Sequence, residues 1–319
     1  FSPSNLNSLF IQRRNLLRPS FYRMLWDVMR FKRDSEALLE SEDYELTLAA
    51  FLTGKGYSQA FVQHFIIPMG EAVWSADPVK FNSFPARYFA QFFKNNGFLN
   101  VKDQPQWLTI KGRSRQYLKP ITKPYGDQIR LNCPVASVRR HPEHVEIQPQ
   151  NEMAETFDQV VIATHSDQAL ALLDDPTDSE TNILGAIPYQ ENQAVLHSDE
   201  SLLPSKKAAW ASWNYHIPQE DLGRVAVTYD MNILQSIGAP EELCVSLNLA
   251  KAIDAAKIYR KMVYHHPVYN PESLAARSSH REINAVNRTS YAGAYWGYGF
   301  HEDGVASALE VCKHFGKSL

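Results

Sequence analysis

Between Gly293 and Gly304 the chain sets four glycines and four aromatic residues into Gly293-Ala294-Tyr295-Trp296-Gly297-Tyr298-Gly299-Phe300-His301-Glu302-Asp303-Gly304. The stretch follows a predicted strand, Arg288 to Tyr291, and runs into an apolar-periodic helix. Glycine removes the Cβ that keeps backbone amides away from a bulky ligand, and it permits positive φ where the chain bends. A helix opened by Asp303 and Gly304 offers free N–H groups and the positive end of its dipole. Such a terminus suits a pyrophosphate or the electron-rich pyrimidine edge of a flavin, with Tyr295, Trp296, Tyr298 and Phe300 as an aromatic wall. The same residues also describe an aromatic-rich hairpin in which Asp303 only caps the last helix. Spacing alone leaves both readings open.

Other chemistries find less support. His265-His266-Pro267, His197, His216 and His280 lack the i, i+4 spacing and cysteine partners of zinc motifs, so no metal site is expected. No G-x-S-x-G elbow is present for a serine hydrolase. Cys133, Cys244 and Cys312 are odd in number and far apart, which points away from a disulfide framework and toward a reducing, cytoplasmic setting. A net charge of −3, from 32 basic and 35 acidic residues, gives no reason to expect nucleic acid as a partner. No apolar run reaches membrane-spanning length. The exception to this even composition is Arg13, Arg14, Arg18, Arg23, Arg30, Lys32 and Arg33, interleaved with Phe10, Phe21, Tyr22, Trp26 and Phe31. That pattern fits either a peripheral contact with an anionic membrane surface or a solvated helix face.

Several separated strings resemble the flavin amine oxidase superfamily, which includes amine oxidases, protoporphyrinogen oxidases and carotenoid desaturases. Within it the likeness is greatest to a bacterial group of NAD/FAD-binding amine oxidase-like proteins. The strings are Asn5 to Phe10 with Gln12 to Pro19, Phe65-Ile66-Ile67-Pro68-Met69-Gly70, Pro105 to Gly112, and Gly293 to Gly304. The resemblance implies an FAD-dependent oxidoreductase that passes a hydride from a C–N or C–C unit to flavin. It also implies a small-molecule or fatty acyl substrate, since relatives often handle lipophilic molecules. Carried over by position, Val135, Ala163 and Thr164 become adenine-side and dinucleotide contacts, and Gly293, Ala294, Asp303, Gly304 and Val305 become flavin contacts. Trp107, Lys111, Tyr295 and Trp296 become substrate-side residues. No catalytic side chain is assigned, because the ring itself accepts the hydride and the protein orients substrate.

Two departures from the family pattern matter. Where the family reads Trp-x-Thr-x-x-Gly-Gly-Ser, this chain has Arg113 in place of the second glycine, a residue for which positive φ costs about 1 kcal/mol or more. Members also begin with a strand, glycine turn and helix that hold the ADP half of FAD. Here residue 1 is Phe, and none of the 14 glycines falls into G-x-G-x-x-G spacing. The expectation is an N-terminally truncated flavoprotein that holds FAD weakly by itself. A different-class alternative is a non-catalytic or inactive remnant acting as an interaction module.

These residues need elements to position them. Residues 1–100 predict mainly helices: one around Phe21 to Phe31, two flanking Gly54-Lys55-Gly56 (Tyr44 to Leu52, Tyr57 to Trp74), and one opened by Ser83-Phe84-Pro85 and ending at Asn96-Gly97. From Trp107 the period becomes two, predicting strands at Gln128 to Leu131, Val135 to Val138 and Val145 to Gln148. Phe157 to His165 predicts a buried strand, followed by a helix from Ser166 to Leu173. Further strands are predicted at Gln193 to His197, Ala208 to Trp213 and Arg224 to Tyr229. The fold class that results is α/β, a two-domain FAD-dependent amine oxidase-like fold without the N-terminal Rossmann βαβ unit. Residues 1–112 and 174–283 are expected to build the substrate domain, and 113–173 and 284–319 the FAD domain.

Overall fold

Phe89 and Phe93 lie one helical turn apart, and in the computed structural model their rings stack with centroids 4.1 Å apart. The structure describes residues 6–74, 83–100, 108–217 and 223–318. It divides into two units, Phe1–Arg113 with Gln190–His266, and Ser114–Tyr189 with Pro267–Leu319. The divisions fall after 189 and 266, whereas the sequence reading put them after 173 and 283. Segments 174–189 and 267–283 pack in the second unit because Ile183, Leu184, Ile187, Ala276 and Ile283 join its core with Ile162 and Tyr291.

The strands are β1 (Val135–Arg140), β2 (Val145–Pro149), β3 (Glu155–Phe157), β4 (Val160–Ile162), β5 (Tyr189–His197), β6 (Trp213–Tyr215), β7 (Val227–Asp230), β8 (Cys244–Leu247), β9 (Ile258–Pro267) and β10 (Thr289–Tyr291). In the first unit the helix Pro19–Glu40 starts with proline in its first turn and buries Phe21, Met24, Phe31 and Leu38 on one face. Phe31 is the hub of that core, its ring within 5.7 to 6.2 Å of Phe51, Phe61, Phe89 and Phe93. The fully buried Asp27 on the same helix accepts the Ser58 amide (3.0 Å) and pairs with Arg30 (2.9 Å). Burial opposes its charge, but the Ser58 bonds and Arg23 outweigh burial and hold its carboxyl below the usual range. Beside the helices lies a five-stranded sheet of order β6-β7-β8-β5-β9. Tyr229 donates to the Ala72 carbonyl (3.0 Å) and Tyr215 to Glu71, tying the helix Ile67–Trp74 to β6 and β7.

In the second unit β1, β2 and β3 form an antiparallel meander, while β10 pairs in parallel with β4, Tyr291 opposite Ile162. A buried ionic cluster binds these pieces. Arg140 on β1 grips Glu180 with both terminal nitrogens (2.8 and 2.9 Å), and Tyr291 on β10 donates to the same carboxylate (2.6 Å). Thr177 and Glu180 close a capping box at the start of the helix Asp178–Gly185.

Some predicted elements differ. Arg115–Thr122 is a helix, its Leu118 and Ile121 exposed, where an extended stretch was expected. Gln128 to Leu131 is no strand, because the 3₁₀ segment Lys123–Gln128, with Pro124 and Gly126, ends in a turn there. Tyr44 to Glu45 stays non-helical because Thr47 caps the next helix, Leu48–Gly54, by accepting the Ala50 amide (3.2 Å). Pro85 itself is the N-cap of the helix Ala86–Asn95. Trp213 begins a strand that was expected to end there. No helix among the described residues is long and apolar enough to cross a membrane.

Candidate functional site

The parallel pair β4 and β10 ends on a common edge. Beyond Ile162 the chain emerges at Ala163 and Thr164, both exposed, and enters the helix Ser166–Leu172. Beyond Tyr291 the ladder continues for one bond, Ala292 N–H to the Ile162 carbonyl (3.1 Å), and then Gly293 leaves it. Ligands of parallel α/β sheets gather at this carboxyl end of the strands.

From Gly293 the loop turns through a 3₁₀ segment, Ala294–Trp296, into the helix His301–His314. The Gly293 amide donates to Ser307 Oγ (2.9 Å), and Ser307 donates to the Gly304 carbonyl (2.8 Å), which fastens the loop to the first turns of that helix. Gly304 N–H makes the first intrahelical bond, to Phe300. The amides of His301, Glu302 and Asp303 therefore precede the helical ladder. The helix opens at His301, two residues before the start expected from the sequence, and Asp303, its third residue, accepts the amide of the N-cap Phe300 (2.9 Å) rather than capping the helix itself. A Cβ on Gly297 would overlap the Asp303 carboxylate, so glycine there keeps the cap in place.

Gly304 is different. A Cβ built on it would meet Ala294 N at 3.8 Å and Ala294 Cβ at 3.9 Å, ordinary contact distances. The protein's own packing leaves room for a methyl group beside Ala294, and Val305 next to it is exposed. The open edge at Ala163 and Thr164, this space and the helix start leave room for an extended ligand.

Tyr295 and Trp296 do not wall an open face, contrary to the sequence expectation. Tyr295 is buried in the core of its unit, its ring where a Gly293 side chain would stand, and burial pushes its phenol pKa up. Trp296 stacks on His280, centroids 4.0 Å apart. Among the described residues neither the Tyr295 hydroxyl nor the Trp296 indole nitrogen has a hydrogen-bond partner. Arg277 and Tyr269 clamp the same loop: the Arg277 Nε–H donates to the Tyr295 carbonyl, its guanidinium covers the Tyr269 ring, and Tyr269 donates to the Gly297 carbonyl (3.2 Å). Neither residue carries a motif signal in the sequence, because both act on backbone carbonyls far along the chain. Val135 opens β1 at a bulge that places it opposite Pro149.

In the first unit Lys111 sits exposed in a turn, and Trp107 lies outside the described residues. Arg113 takes φ 74°, following Gly112 at φ 80°. The left-handed geometry that favours glycine is therefore taken here by arginine, whose Nε donates to Gln235 (2.7 Å). This unit also holds a cavity of about 620 Å³, bounded by the N-terminal segment, the helical stretch around His64 and the chain from Pro204 to Ile217.

The histidines form no metal centre: no cluster of three metal-ligating side chains exists among the described residues. Two of them end a buried chain across the sheet, running His197 Nε2 to Ser246 Oγ (2.8 Å), Ser246 to Thr228 Oγ1 (2.7 Å), and Thr228 to His216 Nε2 (2.9 Å). The Asp199 amide donates to His197 Nδ1 (3.0 Å), which puts the His197 proton on Nε2 and lets every hydroxyl donate onward to His216. Burial lowers the pKa of both rings, in keeping with neutral imidazoles at the two ends.

No curated protein matches the chain. Among solved structures it resembles a CLA-producing fatty acid isomerase from P. acnes (14% identity, TM-score 0.61, covering 86% of this chain and 67% of that one). It also resembles the cyclohexylamine oxidase of Brevibacterium oxydans (14%, TM-score 0.63, 94% and 76%) and putrescine oxidase bound to putrescine (11%, TM-score 0.64, 99% and 77%). At these identities the likeness is one of fold, an α/β fold shared with FAD amine oxidases. The family model described as flavin containing amine oxidoreductase matches residues 12–205. A match over more than half its length, carried on that fold, makes this chain a member of the flavin-containing amine oxidoreductases, with FAD as its cofactor.

Proposed function

We propose that the protein is an FAD-dependent oxidoreductase acting on a C–N or C–C unit of a small or lipophilic substrate. When bound, FAD supplies the hydride acceptor. Gly293, Ala294, Gly304 and Val305 would line its flavin end, with Ala163 and Thr164 along the dinucleotide and Val135 toward the adenine side. Asp303 acts one step removed, by fixing the helix start that aims the amides. Trp107 and Lys111 remain the substrate-side proposals, while Tyr295 and Trp296 serve the site by holding the loop from beneath.

The observation that carries this reading is the space beside Gly304, which nothing in the chain's own packing requires. A carboxylate there meets the cofactor's electron-rich edge with both bulk and charge. In the full gene product, Gly304→Asp should therefore weaken FAD binding by about ten-fold or more, a loss of the size of one charge-assisted contact. Flavin absorbance of the purified variant and its circular dichroism check this. Unchanged flavin content with an intact fold returns Gly304 to a plain helix start.

A peripheral lipid contact is a second reading, supported by the exposed Tyr22, Trp26 and Met29, spaced along the outer face of the helix Pro19–Glu40. Arg23 and Arg30 are not free for it, since they reach the carbonyls of Gly56 and Lys55 and pair with Asp27. Trp26→Ala should reduce binding to anionic vesicles at low salt. Vesicle binding that ignores this change counts against the reading.

A further inference from the structure

The cavity of the first unit is within the range of small-molecule sites, roughly 300 to 1,000 Å³. Phe21, Met24, Phe65, Pro68, Met69 and Trp213 give it apolar walls. Arg18 and Lys206, both exposed, bring two positive charges to the lining, and among the described residues no aspartate or glutamate lines it. Among the described residues neither cation has a carboxylate within 4.0 Å. The Lys206 ammonium donates to the neutral Ile11 carbonyl (3.3 Å), so among the described residues no carboxylate balances its charge, and it keeps two protons to give. The buried Glu71, which accepts from the lining residue Tyr215, lies outside the lining itself.

This combination favours an amphiphilic anion over a cation. A protonated amine would meet two like charges and no counter-ion among the described lining residues, whereas a carboxylate on an apolar chain complements the cations and covers the aromatic and thioether surface. We propose that this cavity binds an amphiphilic monocarboxylate of the fatty-acid type, its charge balanced by Arg18 and Lys206 and its chain laid against Phe21, Met24, Phe65 and Met69. As a binding site it stands apart from the flavin; as a substrate site it rests on the flavin reading and selects the C–C over the C–N unit. The amine substrates named for two of the fold's neighbours would then be excluded here by charge.

Isothermal titration of the full gene product with decanoate and with decylamine, each below its micelle concentration, tests this. Decanoate should bind, and decylamine should bind about ten-fold more weakly or not at all. The double reversal Arg18→Glu with Lys206→Glu should abolish decanoate binding and invert the preference, whereas Lys207→Glu, one position along and outside the lining, should change neither. If the double variant fails to fold by circular dichroism, Lys206→Gln carries the test, with a loss of about ten-fold expected. Equal or stronger binding of the amine, absence of decanoate binding, or unaltered binding after removal of the cations overturns the proposal. Flavin absorbance in the same samples separates the two readings: decanoate binding without flavin sinks the cofactor assignment alone, and flavin without decanoate binding sinks the cavity alone.

Discussion

The unit built on Phe31 is held by aromatic rings packed edge to face and stacked, and its buried carboxylate Asp27 sits on a helix that arginines cover from outside. The unit that contains β10 places a full ion pair, Arg140 with Glu180, in its interior, and hangs the strand leading to Gly293 from it through Tyr291. Dispersion and burial in the first unit are nearly indifferent to pH and salt. The second unit stakes the position of β10 on groups whose charges must persist. The cavity walls therefore rest on shape, and the loop at Gly293 rests on electrostatics.

The largest effects expected come from breaking one partner in each region. Arg140→Met leaves Glu180 buried and unpaired and should cost about 3–5 kcal/mol in urea unfolding, while Arg140→Met with Glu180→Met should recover most of it. Phe31→Ala should cost a similar amount, about 3–5 kcal/mol, through the cavity it leaves. Its cost should be the same at neutral and mildly acidic pH, and that of Arg140→Met should not. A double variant no more stable than the single one would mean that the ionic cluster is not the unit's keystone.

The pH dependence should have opposite signs in the two regions. Burial raises the pKa of Glu180, but the bonds from Arg140, the Thr177 amide and Tyr291 overcome this and lower it to about 2. A depressed carboxyl contributes stability above its ordinary value of about 4.3, and that contribution is lost as pH falls toward 2. In the first unit burial, the bond with Asp230 and the negative charge of Asp230 and Glu200 raise Glu242 to about 7, with Lys207 opposing. A raised carboxyl contributes stability in its neutral form, and that contribution fades as pH rises from about 4.3 through 7. Glu242→Gln should therefore flatten the loss of stability toward neutral pH, and Glu180→Gln the loss toward acid. Thermal melts across the range check both; identical profiles for wild type and Glu242→Gln would remove the first.

The smallest effect concerns Arg113. An arginine at φ 74° is strained, so Arg113→Gly should stabilise the chain by up to about 1 kcal/mol, offset in part by the lost bond to Gln235 and by glycine's greater freedom when unfolded. Destabilisation would show that the Gln235 contact outweighs the strain.

Much of the second unit was legible in the residues because its signals are local. β1 and β2 follow alternation around the His141-Pro142-Glu143 turn, β4 is a short β-branched run, and the glycine loop between β10 and the last helix announces itself by composition. The helix Arg115–Thr122 was missed because no residue of it is buried, so no core demands its periodicity. Tyr295 and Trp296 were read as ligand walls because aromatic residues beside glycines look alike whether they face a ligand or a core. Arg277, Tyr269 and His280 decide that question, and they approach from a different part of the chain.

By itself the sequence determined the local periods, the glycine loop before the last helix, and the family likeness, since each depends on neighbours a few residues apart. Tertiary structure alone decided three further things: the sheet order β6-β7-β8-β5-β9, the meeting of Arg140, Glu180 and Tyr291, and the gathering of Arg18 and Lys206 around one cavity. Each joins residues far apart in the chain, and such contacts follow from how the whole set of apolar faces is buried, which no short window of residues encodes.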